Sequence, residues 1–208
     1  MSKNNVILNL RGGGASGKTT CFRKFLDMPH HAVVGPNEHT KAGNDEVKGY
    51  IIDGSSLGLK KRIFLMGSYE AVCGGTDKIK KQAEIAERAV NYFNFGYHVL
   101  FEGLLVSKLG PAGTVTKAIV GAADDRAWFL FLDTPVELCL DRMLKRRLDR
   151  GDTRIFNPDK SFYRDHRYTH KCKENLQLAG IENNAWVRHD NAYNEVCAML
   201  KWSENHYG

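Results

Sequence analysis

Short apolar runs alternate with amphipathic stretches along the chain. Six of the runs have the length and composition of strands that are buried in a sheet. They lie at 6–10, 49–53, 62–67, 97–103, 126–133 and 185–190. Apolar residues recur at helical spacing in four further stretches: 18–28, 76–93, 134–151 and 191–202. Strands that alternate with helices in this way predict an α/β fold, a three-layer sandwich around a parallel sheet.

Two of the predicted helices carry end signals. Thr76 is a candidate N-cap for the helix at 76–93. In the next predicted helix Thr134 would be the N-cap, Pro135 would take the first helical position, and Gly151 would follow the last turn. These signals set the expected boundaries of both helices.

The length of 208 residues suits a single domain, 1–208. The runs at 49–53 and 62–67 flank a glycine-containing linker and predict an inserted β-hairpin with an acceptor loop at about 48–76. No apolar run reaches the roughly 20 residues of a membrane span, and the first residues lack the apolar core of a signal peptide. Five scattered cysteines form no CxxC pair, which favours reduced thiols. The sequence therefore predicts a cytoplasmic protein without a membrane partner and leaves the oligomeric state open.

A glycine-rich stretch follows the first predicted strand. Gly12, Gly17, Lys18 and Thr19 fit the pattern G-x-x-x-x-G-K-[S/T]. Glycines let successive backbone N–H groups converge on phosphate oxygens, and the dipole of the helix that begins near Gly17 favours an anion. Lys18 would reach the terminal phosphates, and the Thr19 hydroxyl would ligate Mg²⁺. The predicted phosphate loop comprises Gly12, Gly13, Gly14, Ala15, Ser16, Gly17, Lys18, Thr19 and Thr20.

Carboxylates end three of the predicted strands. Glu102 would lie at the carboxyl edge of the parallel sheet, beside the phosphate loop, where it is a candidate Mg²⁺ ligand. A capping role in the following loop is the alternative. Asp133 and Asp53 also end strands, but a proline or a glycine follows each of them closely, which favours turns.

The stretch at 67–77, GSYEAVCGGTD, combines two glycines with an acid at the start of a predicted helix. A hydroxyl that accepts a phosphoryl group needs a carboxylate within hydrogen-bond reach to take its proton. Asp77 is the preferred candidate for this base, with Glu70 and Asp53 in reserve. The helix dipole alone also favours an aspartate in a first turn, so a purely structural role is the alternative.

The net charge of +6 is concentrated in one basic segment. Residues 142–173 hold eleven Lys or Arg and four Asp or Glu, a net +7, so the rest of the chain has a net charge of −1. Arg142 and Arg146 are four residues apart on a predicted helix, and arginines on a mobile lid stabilise the charge of a phosphoryl group in transfer. A solvated basic helix end is the alternative.

Aromatic residues interleave with cations in the second half of this segment. Arg164, Arg167 and Lys171 fall on one face of a predicted helix, and Arg154 precedes them. Cations bind a phosphate backbone and aromatic rings stack on exposed bases, so the composition suits a nucleic-acid groove. A lid helix whose aromatic side chains enter the core is the alternative. The aromatic residues are Phe156, Phe162, Tyr163 and Tyr168.

The phosphate loop, the strand VLFEG at 99–103 and the helix LDTPVELCLDRMLKRR at 132–147 together resemble the nucleoside- and nucleotide-kinase branch of the P-loop kinases. The resemblance implies a helical lid over about 142–173, a Mg²⁺ ligand at Glu102 and phosphate contacts from Arg142 and Arg146. It departs from deoxynucleoside kinases in one respect, since Gly103-Leu104 stands where they usually have Arg-Ser.

A narrower resemblance lies in the loop pattern Y-E-x-x-C-G-G-x-D. The chain is similar here to small phage-encoded P-loop kinases that phosphorylate 5-hydroxymethyluracil within DNA. The resemblance implies a kinase dependent on ATP and Mg²⁺, located in the host cytoplasm, with DNA carrying a modified pyrimidine as its partner. Tyr69, Arg154, Arg164, Arg167 and Lys171 would contact that acceptor. The matching positions are Tyr69, Glu70, Cys73, Gly74, Gly75 and Asp77.

Two alternatives stay open at this point. A kinase whose acceptor is a free nucleoside, a nucleotide or another small metabolite is the first. A protein of another class, a nucleotide-dependent DNA-binding module without transfer, would also use a phosphate loop and a basic face. The acids and arginines beside the loop count against it, because binding alone does not require them.

Overall fold

One seven-stranded sheet forms the centre of the molecule. The computed structural model describes residues 4–36, 45–70, 74–79, 81–159 and 162–207. The strands are β1 Ile7–Arg11, β2 His30–Pro36, β3 Asp45–Ile52, β4 Ile63–Met66, β5 His98–Glu102, β6 Ala127–Asp133 and β7 Asn184–Arg188. Their order in the sheet is β2-β3-β4-β5-β1-β6-β7. The five strands from β4 to β7 in this order are parallel, so their carboxyl ends share one edge.

Helices cover both faces of the sheet. They are α1 Lys18–Arg23, α2 Gln82–Asn94, α3 Leu104–Ser107, α4 Thr114–Ala123, α5 Val136–Asp149, α6 Phe162–Leu178 and α7 Ala192–His206. Apolar side chains of α1 and α7 pack in one core with one face of the sheet. Those of α2, α4 and α6 pack in a second core with the other face. Two cores separated by a sheet confirm the predicted three-layer α/β class.

The antiparallel part of the sheet contains the expected hairpin and one further strand. β3 pairs antiparallel with both β2 and β4, whereas β4 is parallel to β5 and belongs to the central sheet. The runs at 49–53 and 62–67 therefore do pair as the predicted hairpin, with Gly49 opposite Met66 and Ile52 opposite Ile63, and β2 adds a further antiparallel strand at its edge. The sequence pattern did not predict β2 because five of its seven side chains are exposed, so the strand has no apolar signature.

Both threonines predicted as N-caps make other contacts. The residues from Thr76 to Lys78 form a 3₁₀ turn, and α2 begins later, at Gln82. The Thr76 hydroxyl donates to the carbonyl of Glu102 at 2.9 Å. The Thr134 hydroxyl donates to the carbonyl of Ser16 at 2.8 Å. Each hydroxyl thus ties a connection to the phosphate-loop edge of the sheet.

Other element boundaries agree more closely with the sequence. Pro135 is the N-cap of α5, one residue before its predicted place, and Gly151 follows the helix with φ of 64°. The first helix is shorter than expected, because a 3₁₀ turn from Lys24 to Asp27 succeeds α1. The short helices α3 and α4 were not predicted.

None of the helices within the described ranges has both the length and the hydropathy needed to cross a bilayer. Four cysteines lie in those ranges, each free and buried. The fifth, Cys73 of the loop pattern, falls outside the described residues.

Candidate active site

The phosphate loop connects the end of β1 to the start of α1. Gly17 is the N-cap of α1, with φ of 107°, and Ala15 takes φ of 61°. Left-handed residues in a short loop turn successive N–H groups toward one side, which makes a concave anion site. The helix dipole of α1 points at the same place. Of the two left-handed positions, one is a glycine, as the sequence predicted, and the other is Ala15.

Lys18 lies inside the loop. Its Nζ donates to the carbonyls of Gly12 and Gly13 at 2.9 and 2.8 Å and contacts the Ser16 hydroxyl at 3.4 Å. Burial lowers the pKa of Lys18, while the nearby carboxylates of Glu102 and Asp77 raise it. The ammonium group is thus held at the centre of the loop with two acids close by.

Glu102 stands directly beside the loop. β5 pairs with β1 so that Glu102 lies opposite Leu10, and Glu102 Oε1 accepts a 2.8 Å hydrogen bond from the Thr19 hydroxyl. Burial raises the pKa of Glu102 to about 7, although Lys18 and the hydrogen bond from Thr19 lower it. The carboxylate sits where the sequence predicted it.

The donor set of Thr19 and Glu102 fits Mg²⁺. This ion prefers oxygen ligands and commonly takes one or two protein groups together with substrate phosphates and water. Within the described ranges no group of three or more His, Cys, Asp or Glu side chains forms a metal site. An arrangement of two protein oxygens beside a phosphate loop therefore suits a metal that arrives with a nucleotide.

The turn at 74–79 packs against this pair of residues. A Cβ on Gly74 would lie 2.9 Å from Cγ2 of Thr19, and a Cβ on Gly75 would lie 2.6 Å from Oε1 of Glu102. Asp77 Oδ1 accepts from the backbone N–H of Leu104 at 2.7 Å, at the start of α3. The predicted helix N-terminus at Asp77 is wrong, because α2 begins only at Gln82. The start of α3, and not that of α2, orients the Asp77 carboxylate.

The two reserve candidates for the base lie in different places. Glu70 is exposed and borders a cavity of about 350 Å³ on the other side of the turn. Asp53 follows β3, whose last residue Ile52 pairs with Ile63 at the start of β4. Because β3 is antiparallel, Asp53 lies at the edge of the sheet opposite the phosphate loop, where it accepts from Ser55 N at 3.0 Å. The structure excludes Asp53 as the base.

Arg142 and Arg146 approach the phosphate loop from α5. Nη1 of Arg142 donates to the carbonyl of Ala15 at 3.4 Å. Both arginines line a cavity of about 280 Å³ together with Gly17 and Tyr193, between α1, α5 and the start of α7. The spacing of four residues predicted this shared helix face correctly.

Two curated proteins with sequences similar to this chain are both named 5-hmdU DNA kinase. A 5-hmdU DNA kinase of Pseudomonas phage PaMx11 is 31% identical over 184 residues, which cover 87% of this chain and 89% of the relative. A 5-hmdU DNA kinase of Pseudomonas phage M6 is 33% identical over 147 residues, 67% of this chain and 71% of the relative. The chain belongs to the 5-hmdU DNA kinase family.

Other comparisons add less. No protein-family model matches the chain. A solved gluconokinase from Sinorhizobium meliloti 1021 covers 100% of the chain, and the chain covers 98% of it, at 16% identity and a TM-score of 0.45.

In this member of the 5-hmdU DNA kinase family the predicted acceptor cations separate into two groups. Arg164, Arg167 and Lys171 are exposed on α6. Arg154 lies between α5 and α6 and donates from Nε and Nη2 to the two carboxylate oxygens of Asp152, both at 2.8 Å. Asp152 also pairs with Arg147 at 3.0 Å, so this group of three keeps a net positive charge and the acceptor contact at Arg154 stays a prediction.

The aromatic residues of the 5-hmdU DNA kinase family member also divide. Phe162 is buried, whereas Tyr168 is 51% exposed beside the cations of α6. Tyr69 is 3% exposed and its ring packs against Phe22 and Tyr50 in the core. Its hydroxyl is buried without a hydrogen-bond partner among the described residues, and burial and then the nearby carboxylates of Glu102 and Asp77 raise its pKa. The acceptor contact at Tyr69 therefore stays a prediction.

Sequence reasoning missed His166 of α6, whose imidazole lies against Gly13 of the phosphate loop. The basic segment has two histidines, His166 and His170, and nothing in the pattern distinguishes the first of them as a loop contact. Only the packing of α6 across the edge of the sheet brings this ring to the loop.

Proposed function

We propose that this protein is an ATP-dependent kinase that transfers the γ-phosphoryl group to the hydroxymethyl group of 5-hydroxymethyluracil in DNA. The observation that carries the proposal is the meeting of Lys18, Thr19, Glu102 and Asp77 at one edge of the sheet. A protein that only bound a nucleotide would not need an acid oriented beside the loop.

Each side chain has a role in this transfer. Lys18 binds and neutralises the terminal phosphates of ATP inside the loop. Thr19 and Glu102 would hold Mg²⁺, which supplies further positive charge to those phosphates. Arg142 and Arg146 contact the phosphates from α5 and stabilise the charge that develops in transfer.

Asp77 acts as the general base. It accepts the proton of the acceptor hydroxyl, the hydroxyl oxygen bonds to the γ-phosphorus, and the bond to the leaving ADP oxygen breaks. Its hydrogen bond from Leu104 N engages Oδ1 and fixes the side chain. The position of Asp77 beside Glu102 and Lys18, close enough to alter the pKa of both, supports this role.

Two cavities support separate sites for donor and acceptor. The cavity between α1, α5 and α7, about 280 Å³ in volume, suits the nucleoside part of ATP. The cavity beside Glu70, about 350 Å³ in volume, also borders Gly75 and Lys78 of the turn that carries Asp77. Its size lies within the range of ligand pockets, roughly 300–1,000 Å³, and suits a pyrimidine extruded from the helix or found unpaired.

The names of the two relatives and the exposed cations of α6 support DNA as the partner. In this assignment the basic lid segment, 142–173, follows the DNA backbone and the segment at 48–76 contributes the acceptor pocket. The site of action would be the cytoplasm of the host cell.

Transfer of γ-labelled phosphate from ATP tests the proposal directly. The acceptors are a duplex with one 5-hydroxymethyluracil, the same duplex with thymine, the matching single strand, and the free modified nucleoside. We expect label in the modified DNA, at a rate at least 100-fold above that of the free nucleoside. Equal labelling of the free nucleoside would assign a small-molecule acceptor. DNA binding that depends on nucleotide without any transfer would assign a binding module.

A further inference from the structure

The imidazole of His166 lies in direct contact with the phosphate loop. A Cβ on Gly13 would lie 2.4 Å from both Cε1 and Nε2 of the ring and 2.6 Å from Nδ1. On its own helix the ring is flanked by Phe162, with ring centroids 4.6 Å apart. Any side chain larger than hydrogen at Gly13 would displace the histidine.

Contacts on both sides of His166 hold α6 in this position. Nη1 of the fully buried Arg11, at the end of β1, donates to Sγ of Cys172 at 2.9 Å. Lys108, which follows α3, donates to Asp165 Oδ1 at 2.9 Å. The ring is therefore anchored over the loop by bonds from the sheet and from the connection after α3.

One nitrogen of this ring has no partner. A hydrogen bond with the backbone of Gly14 orients the imidazole. Nε2 is buried and, within the described ranges, forms no hydrogen bond. Leaving a buried polar group unpaired costs about 1–3 kcal/mol, so such a nitrogen beside a binding loop indicates that a ligand completes it.

The surroundings select an anion as that ligand. Burial lowers the pKa of His166, the hydrogen bond with Gly14 raises it, and Lys18 lies close enough to lower it further. The loop presents its N–H groups on the same side. His170 lowers this pKa as well, while Asp165, which is paired with Lys108, raises it. A bound phosphate would offset the burial of an imidazolium and favour Nε2 as a donor.

We propose that His166 is a phosphate-binding residue. Its Nε2 donates a hydrogen bond to a phosphate other than the α-phosphate of the nucleotide that the loop holds. The basic lid segment then contacts the nucleotide from two sides, through Arg142 and Arg146 of α5 and through His166 of α6. The inference rests on the proposed function in one respect, namely that the ligand of the loop is a nucleotide.

Binding of ADP and AMP, measured by calorimetry with Mg²⁺ and without acceptor, tests this role. His166→Ala should weaken ADP binding about tenfold, since a hydrogen bond from a charged group is lost, and change AMP binding less than twofold. His166→Gln should restore ADP binding to within about threefold of wild type, because its amide nitrogen takes the place of Nε2. His166→Asn should not restore ADP binding, because its amide nitrogen takes the place of Nδ1 and not of Nε2.

Gln177→Ala is the control, farther along α6 and exposed, and it should bind ADP as the wild type does. Unchanged or tighter ADP binding by His166→Ala, or an equal loss for AMP, would overturn the proposal. The comparison of the Gln and Asn variants decides the question even if the Ala variant folds poorly. Normal ADP binding by His166→Ala would refute this inference alone, provided that the wild type binds ADP and transfers phosphate. If the wild type does not bind ADP, the proposed function is refuted as well.

Discussion

The hydroxyl of Thr19 donates to Oε1 of Glu102 at 2.8 Å, although 83 residues separate the two in sequence. Parallel pairing of β1 with β5 brings the strand ends together, and the first turn of α1 places Thr19 over Glu102. The contact buries a carboxylate almost completely, at 1% exposure. Its pKa therefore has consequences for stability as well as for metal binding.

Glu102→Gln should stabilise the protein at high pH. The pKa of Glu102 is raised from 4.5 to about 7, so the folded protein holds this proton more tightly than the unfolded chain does. Stability accordingly falls as pH rises from 4.5 to 7, by up to about 3 kcal/mol. Glutamine keeps an oxygen that accepts from Thr19 but has no charge. At pH 8 the free energy of unfolding of the variant should therefore be about 2–3 kcal/mol higher than that of the wild type.

Urea unfolding at pH 4.5 and pH 8, with chelator and without nucleotide, measures this difference. The stabilisation should be close to zero at pH 4.5, where the carboxyl group is protonated in the folded protein and about half protonated in the unfolded chain. An equal difference at both pH values would mean that Glu102 does not titrate as described. The same variant should lose most of its response to Mg²⁺ in the transfer reaction.

Lys18→Met should lower phosphate transfer at least 100-fold. Methionine fills the space of the buried lysine but cannot donate to a phosphate, and the loss of one such donor costs about 10²–10³ in rate. Because Lys18 Nζ also binds the carbonyls of Gly12 and Gly13, some loss of stability is expected as well. Lys117→Met on the exposed side of α4 is the control and should have normal turnover. Normal turnover of a folded Lys18→Met protein would refute the kinase assignment.

Asp77→Asn should lower kcat by about 10²–10⁴ and leave ATP affinity within twofold. Asparagine retains an oxygen that accepts from Leu104 N, so the turn and α3 should keep their positions. Single-turnover rates and nucleotide titrations separate the two quantities. Asp53→Asn at the opposite edge of the sheet serves as the control. Loss of turnover in Glu70→Gln with normal Asp77→Asn would instead assign the base to Glu70.

Motifs of contiguous residues and strand ends were predictable from the sequence. Gly12 to Thr19 form a local motif whose backbone conformation its glycines determine. Glu102 ends a strand whose middle residues, 99–101, are apolar, and the parallel topology then brings it to the loop. In both cases the information lies within one short segment and one rule of sheet geometry.

Roles that depend on packing between distant segments were not predictable. Tyr69 belongs to a polar, glycine-containing loop, yet its ring enters the core because Phe22 and Tyr50 surround it. Arg154 lies in a basic run, but the turn after α5 places it on Asp152. The position of His166 over Gly13 follows from the docking of α6, for which the sequence has no local signal.

The exposed cations of α6 give the last prediction, which concerns the acceptor. If the substrate is DNA, each phosphate contact releases counterions, and log K should fall with log salt by about 0.9 per contact on duplex. Replacement of Arg164, Arg167 and Lys171 by Ala should therefore weaken DNA binding and flatten this slope by up to about three units, with ATP affinity unchanged. Lys201→Ala is the control, since this exposed lysine lies on α7, which packs on the opposite face of the sheet from α6, and it should change the slope by well under one unit. Fluorescence anisotropy with a labelled modified duplex, from low to moderate salt, measures the slopes. A flat profile for the wild type, together with efficient phosphorylation of the free nucleoside, would contradict the DNA assignment, because a small acceptor has no run of phosphates for these side chains to neutralise.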